Sequence, residues 1–177
     1  MKTINCILIG ESNVGKTSFL ISNKTNSFPG EYVPTLCDDC QLNVSLNGND
    51  VALKFIDTCK GGIIDPLCKD ADIFLFCYSI GYQKSYDKIK NYWYQYIRKY
   101  IKRRPIILIG MKSDLREKIS DQNNLIPICK GIELKNEINA IEYIECSSIQ
   151  HKNLDEVISA CVNASLNQEQ KTQCIIL

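Results

Sequence analysis

The segment Gly10-Glu11-Ser12-Asn13-Val14-Gly15-Lys16-Thr17 constrains this chain more than any other. It fits the pattern GxxxxGK[ST], it follows the apolar run Thr3–Ile9 (TINCILI), and it opens a segment, Lys16–Thr25, that can form a helix. A strand, a glycine-bounded loop and a helix start in that order build an anion nest. Loop N–H groups converge inward, and the helix N-terminus adds the positive end of its dipole. Gly15 allows close backbone approach, Lys16 can reach terminal phosphates, and the Thr17 hydroxyl suits Mg²⁺, which takes oxygen ligands. Ser12, Asn13, Val14 and Ser18 complete the candidate phosphate-binding set. The competing explanation is a glycine-containing turn with an incidental lysine. The strand–loop–helix context favours a nucleoside phosphate site.

Composition bounds the rest. A chain of 177 residues with 45% hydrophobic and 23% charged side chains has the length and apolar content of one core-forming domain. The net charge of +1 gives no bulk pull towards nucleic acid, but it conceals an asymmetry. Residues 1–83 carry 6 basic and 9 acidic groups, 84–118 carry 11 and 3, and 119–177 carry 4 and 8. The ten cysteines are scattered, nothing at the N-terminus reads as a signal peptide, and no apolar run approaches the ~18–20 residues of a membrane span. Reduced thiols in a cytosolic protein are therefore expected. Cys37 and Cys40 form a lone CxxC, and the one histidine, His151, lies far from it, so a four-ligand zinc site is not expected.

Strand and helix patterns alternate along the chain. Gln41–Leu46 and Val51–Ile56 flank Asn47-Gly48-Asn49-Asp50 and predict a hairpin. Ile73–Ser79 and Pro105–Gly110 are continuous apolar runs, as in strands covered on both faces. Between them, Ile89, Tyr92, Trp93, Tyr96, Ile97 and Tyr100 recur at helical spacing and predict a helix over 83–103. Helices over 131–140 and 154–166 and a strand over 142–145 complete the set, leaving a polar, flexible tail from 167 to 177. This alternation predicts an α/β domain over 1–166, with a mostly parallel sheet and helices on both faces.

A phosphate loop does not select a base. Ile107–Leu115 places Lys112 and Asp114 just beyond the C-terminal end of a strand, where open α/β sheets bind ligands. An Asp there can accept from guanine N1–H and the exocyclic amine, whereas adenine offers an acceptor at N1. The lysine stem can cover a base face.

With these motifs in order, the chain resembles a Ras-superfamily small GTPase, and within it the Rho/Rac branch. SFPGEYVPTLCDDC (27–40) resembles a Rho-type first switch, and FIDTC (55–59) stands where those proteins carry WDTAG. KSYDKIKNYWYQYIRKY resembles the helix after the fourth strand, MKSDLR the base-binding segment, and YIECSS (143–148) the ECSA segment; CIIL resembles a prenylation box. The resemblance spans Thr3 to Leu177. It implies a P-loop small-GTPase fold of six strands in the order 2-3-1-4-5-6, the second antiparallel to the rest. It also implies GTP or GDP with Mg²⁺ as ligands, with metal ligation through Thr17, Thr35 and Asp57. Phe28 would pack on the guanine face, Tyr32 would close over the phosphates, and Ser147, Ser148 and Ile149 would line the base. Lys16, Thr35 and Gly61 stand at the catalytic positions. Partners implied are effectors, exchange factors and GDI-type proteins at both switches, acting on a monomer that binds no nucleic acid.

The departures from the family pattern are specific. Where relatives read DTAGQE, with a Gly that donates to the γ-phosphate and a Gln that orients water, this chain reads Asp57-Thr58-Cys59-Lys60-Gly61-Gly62. No Gln occurs from Asp57 to Tyr82. Lys60 is either a charge for the developing phosphate or a solvated side chain, and Gly61 or Gly62 can replace the glycine by a one-residue slip. Ser12 stands where most relatives have Gly and would crowd the Gln and an arginine finger, so slow hydrolysis is expected. A non-hydrolysing, constitutively GTP-bound interaction module is the alternative. Cys37 and Cys40 replace effector-face aromatics, Ile56 replaces a Trp and Met111 a polar residue. The stretch 117–130 is too short for the Rho insert helix, which is expected to be absent or reduced to a turn.

Arg98–Arg104 is a dense basic run with three readings: a solvated helix end, a contact for an anionic membrane or acidic partner, or a nucleic-acid contact. Cys174-Ile175-Ile176-Leu177 fits C-a-a-X with Leu last, favouring geranylgeranyl on Cys174. Only Lys171 lies close upstream, so one lipid chain without a polybasic signal is expected to give reversible attachment. The expected location is cytoplasmic, at the cytoplasmic face of a membrane, the plasma membrane first.

Overall fold

The computed structural model describes residues 2–28, 39–46, 48–58, 64–101, 104–120 and 122–173. Six strands form one sheet in the order β2-β3-β1-β4-β5-β6: β1 Lys2–Ile9, β2 Asp39–Leu46, β3 Asn49–Asp57, β4 Ile73–Ser79, β5 Ile106–Met111 and β6 Glu142–Cys146. Only β2 runs antiparallel, paired with β3 through the hairpin at Gly48. The parallel neighbours are in register at Cys6↔Phe55, Leu8↔Leu75, Phe76↔Leu108 and Ile109↔Ile144.

The helices are α1 Lys16–Thr25, α2 Ile64–Asp70, α3 Gln83–Lys88, α4 Gln95–Ile101, α5 Leu115–Lys118, α6 Ile128–Glu137 and α7 Leu154–Gln173. Alternating residues of β1 divide between two cores. Ile4, Cys6 and Leu8 meet Phe19 and Leu20 of α1 and Val157, Cys161 and Val162 of α7. Ile7 and Ile9 belong to the opposite core, with Cys68 of α2, Ile97 of α4 and Leu134 of α6. Both sheet faces are covered, which is why β4 and β5 read as unbroken apolar runs and are buried at every position. Each fully buried Phe, Leu or Ile contributes about 1.5–3 kcal/mol.

The structure departs from the sequence expectations in several places. The segment predicted as one helix over 83–103 is divided by a π-helical turn, Ile89–Tyr94. Hydrophobic spacing does not distinguish α from π register over a single turn. The helix expected at 131–140 starts three residues earlier, after Pro127, whose carbonyl accepts from Lys130 N (3.0 Å). Gly131 is thus interior, and it is glycine because a Cβ there would lie 2.1 Å from Tyr143 Cζ. The last helix passes the expected end at Leu166 and continues to Gln173. Residues 167–173 contain no Gly or Pro and are rich in Gln, Glu and Lys, so helix propensity carries on after the apolar stripe stops. The helices α2 and α5 were not anticipated. Between α5 and α6, the described residues carry only a 3-10 turn, Gln122–Asn124, matching the shortness of that stretch.

Cys40, expected on an exposed effector face, is instead fully buried against α1, its thiol 3.8 Å from Leu20 O. The pleat of β2 turns Cys40, Leu42 and Val44 to the core. Cys37 lies outside the described residues.

The basic block 84–118 meets the acidic flanks within the fold. Lys88 pairs with Glu11, Lys90 with Glu137 and Arg116 with Glu145. At the end of the basic run, the Arg104 guanidinium donates to the carbonyls of Cys68 and Lys69 (2.5 Å each) and so closes the C-terminal end of α2.

Candidate functional site

The loop after β1 turns sharply into α1. Gly10 has φ 153°, and a Cβ there would sit 2.0 Å from Cys77 O, so the loop can pass β4 only as glycine. Asn13 (φ 63°) and Gly15 (φ 117°) take left-handed conformations that Asn and Gly tolerate best. The Lys16 side chain is 1% exposed and donates to Gly10 O and Glu11 O, both at 2.8 Å. The first turn of α1 has no side-chain cap and no acidic residue, so its N–H donors await an acceptor from outside the helix. A buried ammonium beside an uncapped helix start fits a phosphate.

Thr17 Oγ1 donates to Asp57 Oδ2 at 2.7 Å, joining the start of α1 to the end of β3. Among the described residues no group of three acidic, His or Cys side chains gathers to hold a metal. Two protein oxygens fit Mg²⁺, which keeps water and phosphate oxygens for the remainder of its shell. Thr17 and Asp57 would hold it, and it would supply positive charge where phosphate charge develops. Thr58 Oγ1 donates to Leu8 O (2.7 Å) and fixes the exit from β3.

A cavity of about 670 Å³ extends from this loop, lined by Ser12, Asn13, Gly15–Ser18, Phe28, Met111, Lys112, Asp114, Leu115, Lys118, Ser148 and Ile149. Val14, expected in the phosphate-binding set, does not line the cavity; its side chain is in the core. At the far end Lys112, with φ 63°, donates from Nζ to Asn13 O at 2.7 Å. Asp114 is 2% exposed; its Oδ1 accepts from Ser147 Oγ (2.7 Å) and its Oδ2 from Lys118 Nζ (2.9 Å). Burial alone would raise its pKa, but these two hydrogen bonds, the Lys118 charge and a backbone hydrogen bond together outweigh it and hold the carboxyl below the usual Asp range. Ser147 and Lys152 exchange backbone hydrogen bonds of 3.0 Å, closing the tight loop that carries Ser148 and Ile149.

Behind the two base-side segments lies a half-buried polar chain. Arg116 donates to both oxygens of Glu145 (2.6 and 2.5 Å) and to Ile126 O, Tyr143 OH donates to Glu145 Oε1 (2.6 Å), and the Tyr78 and Tyr143 hydroxyls meet at 2.8 Å. Burial pushes both tyrosine pKa values well up, keeping them neutral donors. Cys146, the next residue of β6, is pushed up to about 12 by burial and by Glu145, and its thiol lies 3.7 Å from Met111 Sδ.

The structure thus gathers Ser12, Asn13, Gly15, Lys16, Thr17, Ser18, Phe28, Lys112, Asp114, Ser148 and Ile149 around one cavity, with Asp57 and Ser147 bonded to its walls. Tyr32, Thr35, Lys60, Gly61 and Cys174 lie outside the described residues. Sequence reading missed Leu115 and Lys118; the i,i+4 spacing of Asp114 and Lys118 was the signal for the latter.

A sheet ordered 2-3-1-4-5-6, with an anion loop after its first strand and a carboxylate pocket after its fifth, defines the P-loop small-GTPase class. A model of the Ras family matches residues 5–167, and the chain belongs to that family. Ras-family proteins are GTPases that bind GTP and GDP with Mg²⁺ and work through regulator and effector partners.

Proposed function

We propose that this chain is a Rho-like molecular switch whose GTP turnover is intrinsically slow. The observation that carries the reading is Ser12, which lines the cavity beside Lys16 and Thr17, at a position where the family pattern has Gly in most members. A side chain there would crowd the path of a water-orienting Gln and of an arginine finger, and residues 57–82 contain no Gln. An arginine finger contributes about 10³–10⁵ in rate, so restricting its entry prolongs the GTP state. Lys16, Thr35 and Gly61 are the catalytic candidates: the ammonium neutralises phosphate charge, Thr35 senses the γ-phosphate, and Gly61 lacks the amide that would orient water.

Single-turnover decay of bound GTP tests this. The expected rate is below that of a Gln-bearing relative, poorly stimulated by a Rho-type activating protein, and partly restored by Ser12→Gly with Gly61→Gln. A wild-type rate equal to ordinary relatives overturns it. The alternative, a GTP-bound interaction module without turnover, rests on the same two departures. GTP in the purified protein and no multiple-turnover phosphate release distinguish it.

The reading extends to the cytoplasmic face of a membrane, the plasma membrane first, through a geranylgeranyl group on Cys174. Burial of lipid CH₂ groups contributes ~0.8 kcal/mol each. Cys174→Ser is expected to release the protein to the cytosol, and salt-insensitive vesicle binding would identify the lipid as sole anchor. Effectors, exchange factors and GDI-type proteins at the switches are the proposed partners, and the protein is proposed to act as a monomer.

A further inference from the structure

Glu11 is the residue after Gly10 in the phosphate loop, and its two ends face different elements. Its carbonyl accepts from the Lys16 ammonium at 2.8 Å. Its carboxylate is turned outward to the helical segment beyond β4: Oε2 accepts from Lys88 Nζ (2.8 Å) and Oε1 from Trp93 Nε1 (3.3 Å). The Glu11 side chain is 18% exposed and that of Lys88 38%. Tyr92 packs edge-on against Trp93, with ring centroids 4.9 Å apart at 82°.

The π-helical turn accounts for this double grip. Lys88 and Trp93 are five residues apart, and in a continuous α-helix that spacing would separate their directions by about 140°. The turn Ile89–Tyr94 begins directly after Lys88. Its i→i+5 register brings residue i+5 nearly back above residue i, so ammonium and indole N–H converge on one carboxylate.

We propose that Lys88 and Trp93 are positioning residues for the nucleotide phosphates, acting through Glu11. A carboxylate in a loop that must hold a polyanion repels it unless it is neutralised and turned away. Lys88 supplies the neutralising charge and Trp93 fixes the direction. The same residue's carbonyl holds Lys16, so displacement of Glu11 also disturbs the ammonium that meets the terminal phosphates. The effect therefore scales with phosphate charge. This inference rests on the guanine-nucleotide reading of the cavity.

The test is equilibrium binding of GTP, GDP and GMP to the full chain with Mg²⁺, by competition against a fluorescent GDP. Lys88→Met is expected to weaken GTP by roughly tenfold, GDP less, and GMP least, because GMP carries only one of the phosphates. Lys88→Arg keeps the charge and is expected to retain wild-type binding, and Trp93→Phe shows a smaller loss in the same order. In the Glu11→Gln background, with no carboxylate to neutralise, Lys88→Met is expected to lose most of its effect. Equal loss across the three nucleotides, as general destabilisation would give, overturns the proposal, as does an undiminished effect of Lys88→Met beside Glu11→Gln. A wild-type chain that binds none of the three overturns the nucleotide reading itself, a result distinct from either.

Discussion

Lys112 donates from the loop after β5 to the main-chain carbonyl of Asn13, 2.7 Å away in the loop after β1. The bond joins base-side and phosphate-side loops across 99 residues of chain. Both residues are in the left-handed region, with φ 63°. For Lys112 that conformation costs roughly 1–2 kcal/mol, and Met111, buried at the end of β5, packs under Gly15 instead of supplying a second polar link. One lysine therefore carries much of the coupling between the ends of the cavity.

Guanine selectivity should depend on Asp114. Its carboxylate is the acceptor at the base end of the cavity, braced by Ser147. Asp114→Ala is expected to weaken GDP binding by about 1.5–3 kcal/mol, the range for hydrogen bonds to a charged group. Equal competition by ATP and GTP for the wild-type site would count against this assignment.

The same carboxyl sets a pH expectation. Lowered in the folded protein by Lys118 and Ser147 against the upward push of burial, it contributes stability in full above the unfolded value near ~3.9. That contribution is lost only as pH falls through the lower folded value. The preference for GTP over ATP should thus be flat from about pH 8 to about pH 5, where Asp114 stays ionised. A midpoint of lost selectivity above about pH 5 would exclude Asp114 as the group being titrated.

Gly131→Ala should destabilise the fold, although alanine is the better helix former. The added methyl would lie 2.1 Å from Tyr143 Cζ and 2.4 Å from its hydroxyl, and such overpacking costs about 1–3 kcal/mol. With Tyr143→Leu the sign should reverse, leaving a gain of up to ~1 kcal/mol from helix propensity. Denaturant midpoints of the four proteins form the cycle, and a destabilisation unchanged by Tyr143→Leu would refute the clash.

Arg104 should behave as part of α2, not as a free surface charge. Arg104→Gln removes donors to Cys68 O and Lys69 O and is expected to cost about 1–2 kcal/mol, with hydrogen exchange rising in 64–70. Unchanged exchange there would return Arg104 to the solvated helix end considered from sequence.

What could be read in advance follows from how local each cause is. β1, β4 and β5 were legible because burial on two faces leaves a long apolar run, and the hairpin because Asn-Gly turns are local chemistry. The phosphate loop is likewise eight consecutive residues. The helix α2 was not legible: among its described side chains only Leu67 and Cys68 pack on the core, too few to set a period. The grip on Glu11 joins residues 77 and 82 positions apart, and the Arg104 cap spans 36. These contacts are created by sheet order, which brings β1 beside β4, and no spacing within the chain announces them. The burial of Cys40 follows from strand pleat, which the family resemblance overrode.

The cap on α2 also fixes how that helix can move. Seven residues make a rod about 10 Å long. Arg104 clasps its Asp70 end, and Cys68 is seated with no exposed surface. A rod clasped at its heel and seated at Cys68 is expected to pivot about its Asp70 end more readily than it slides along the sheet.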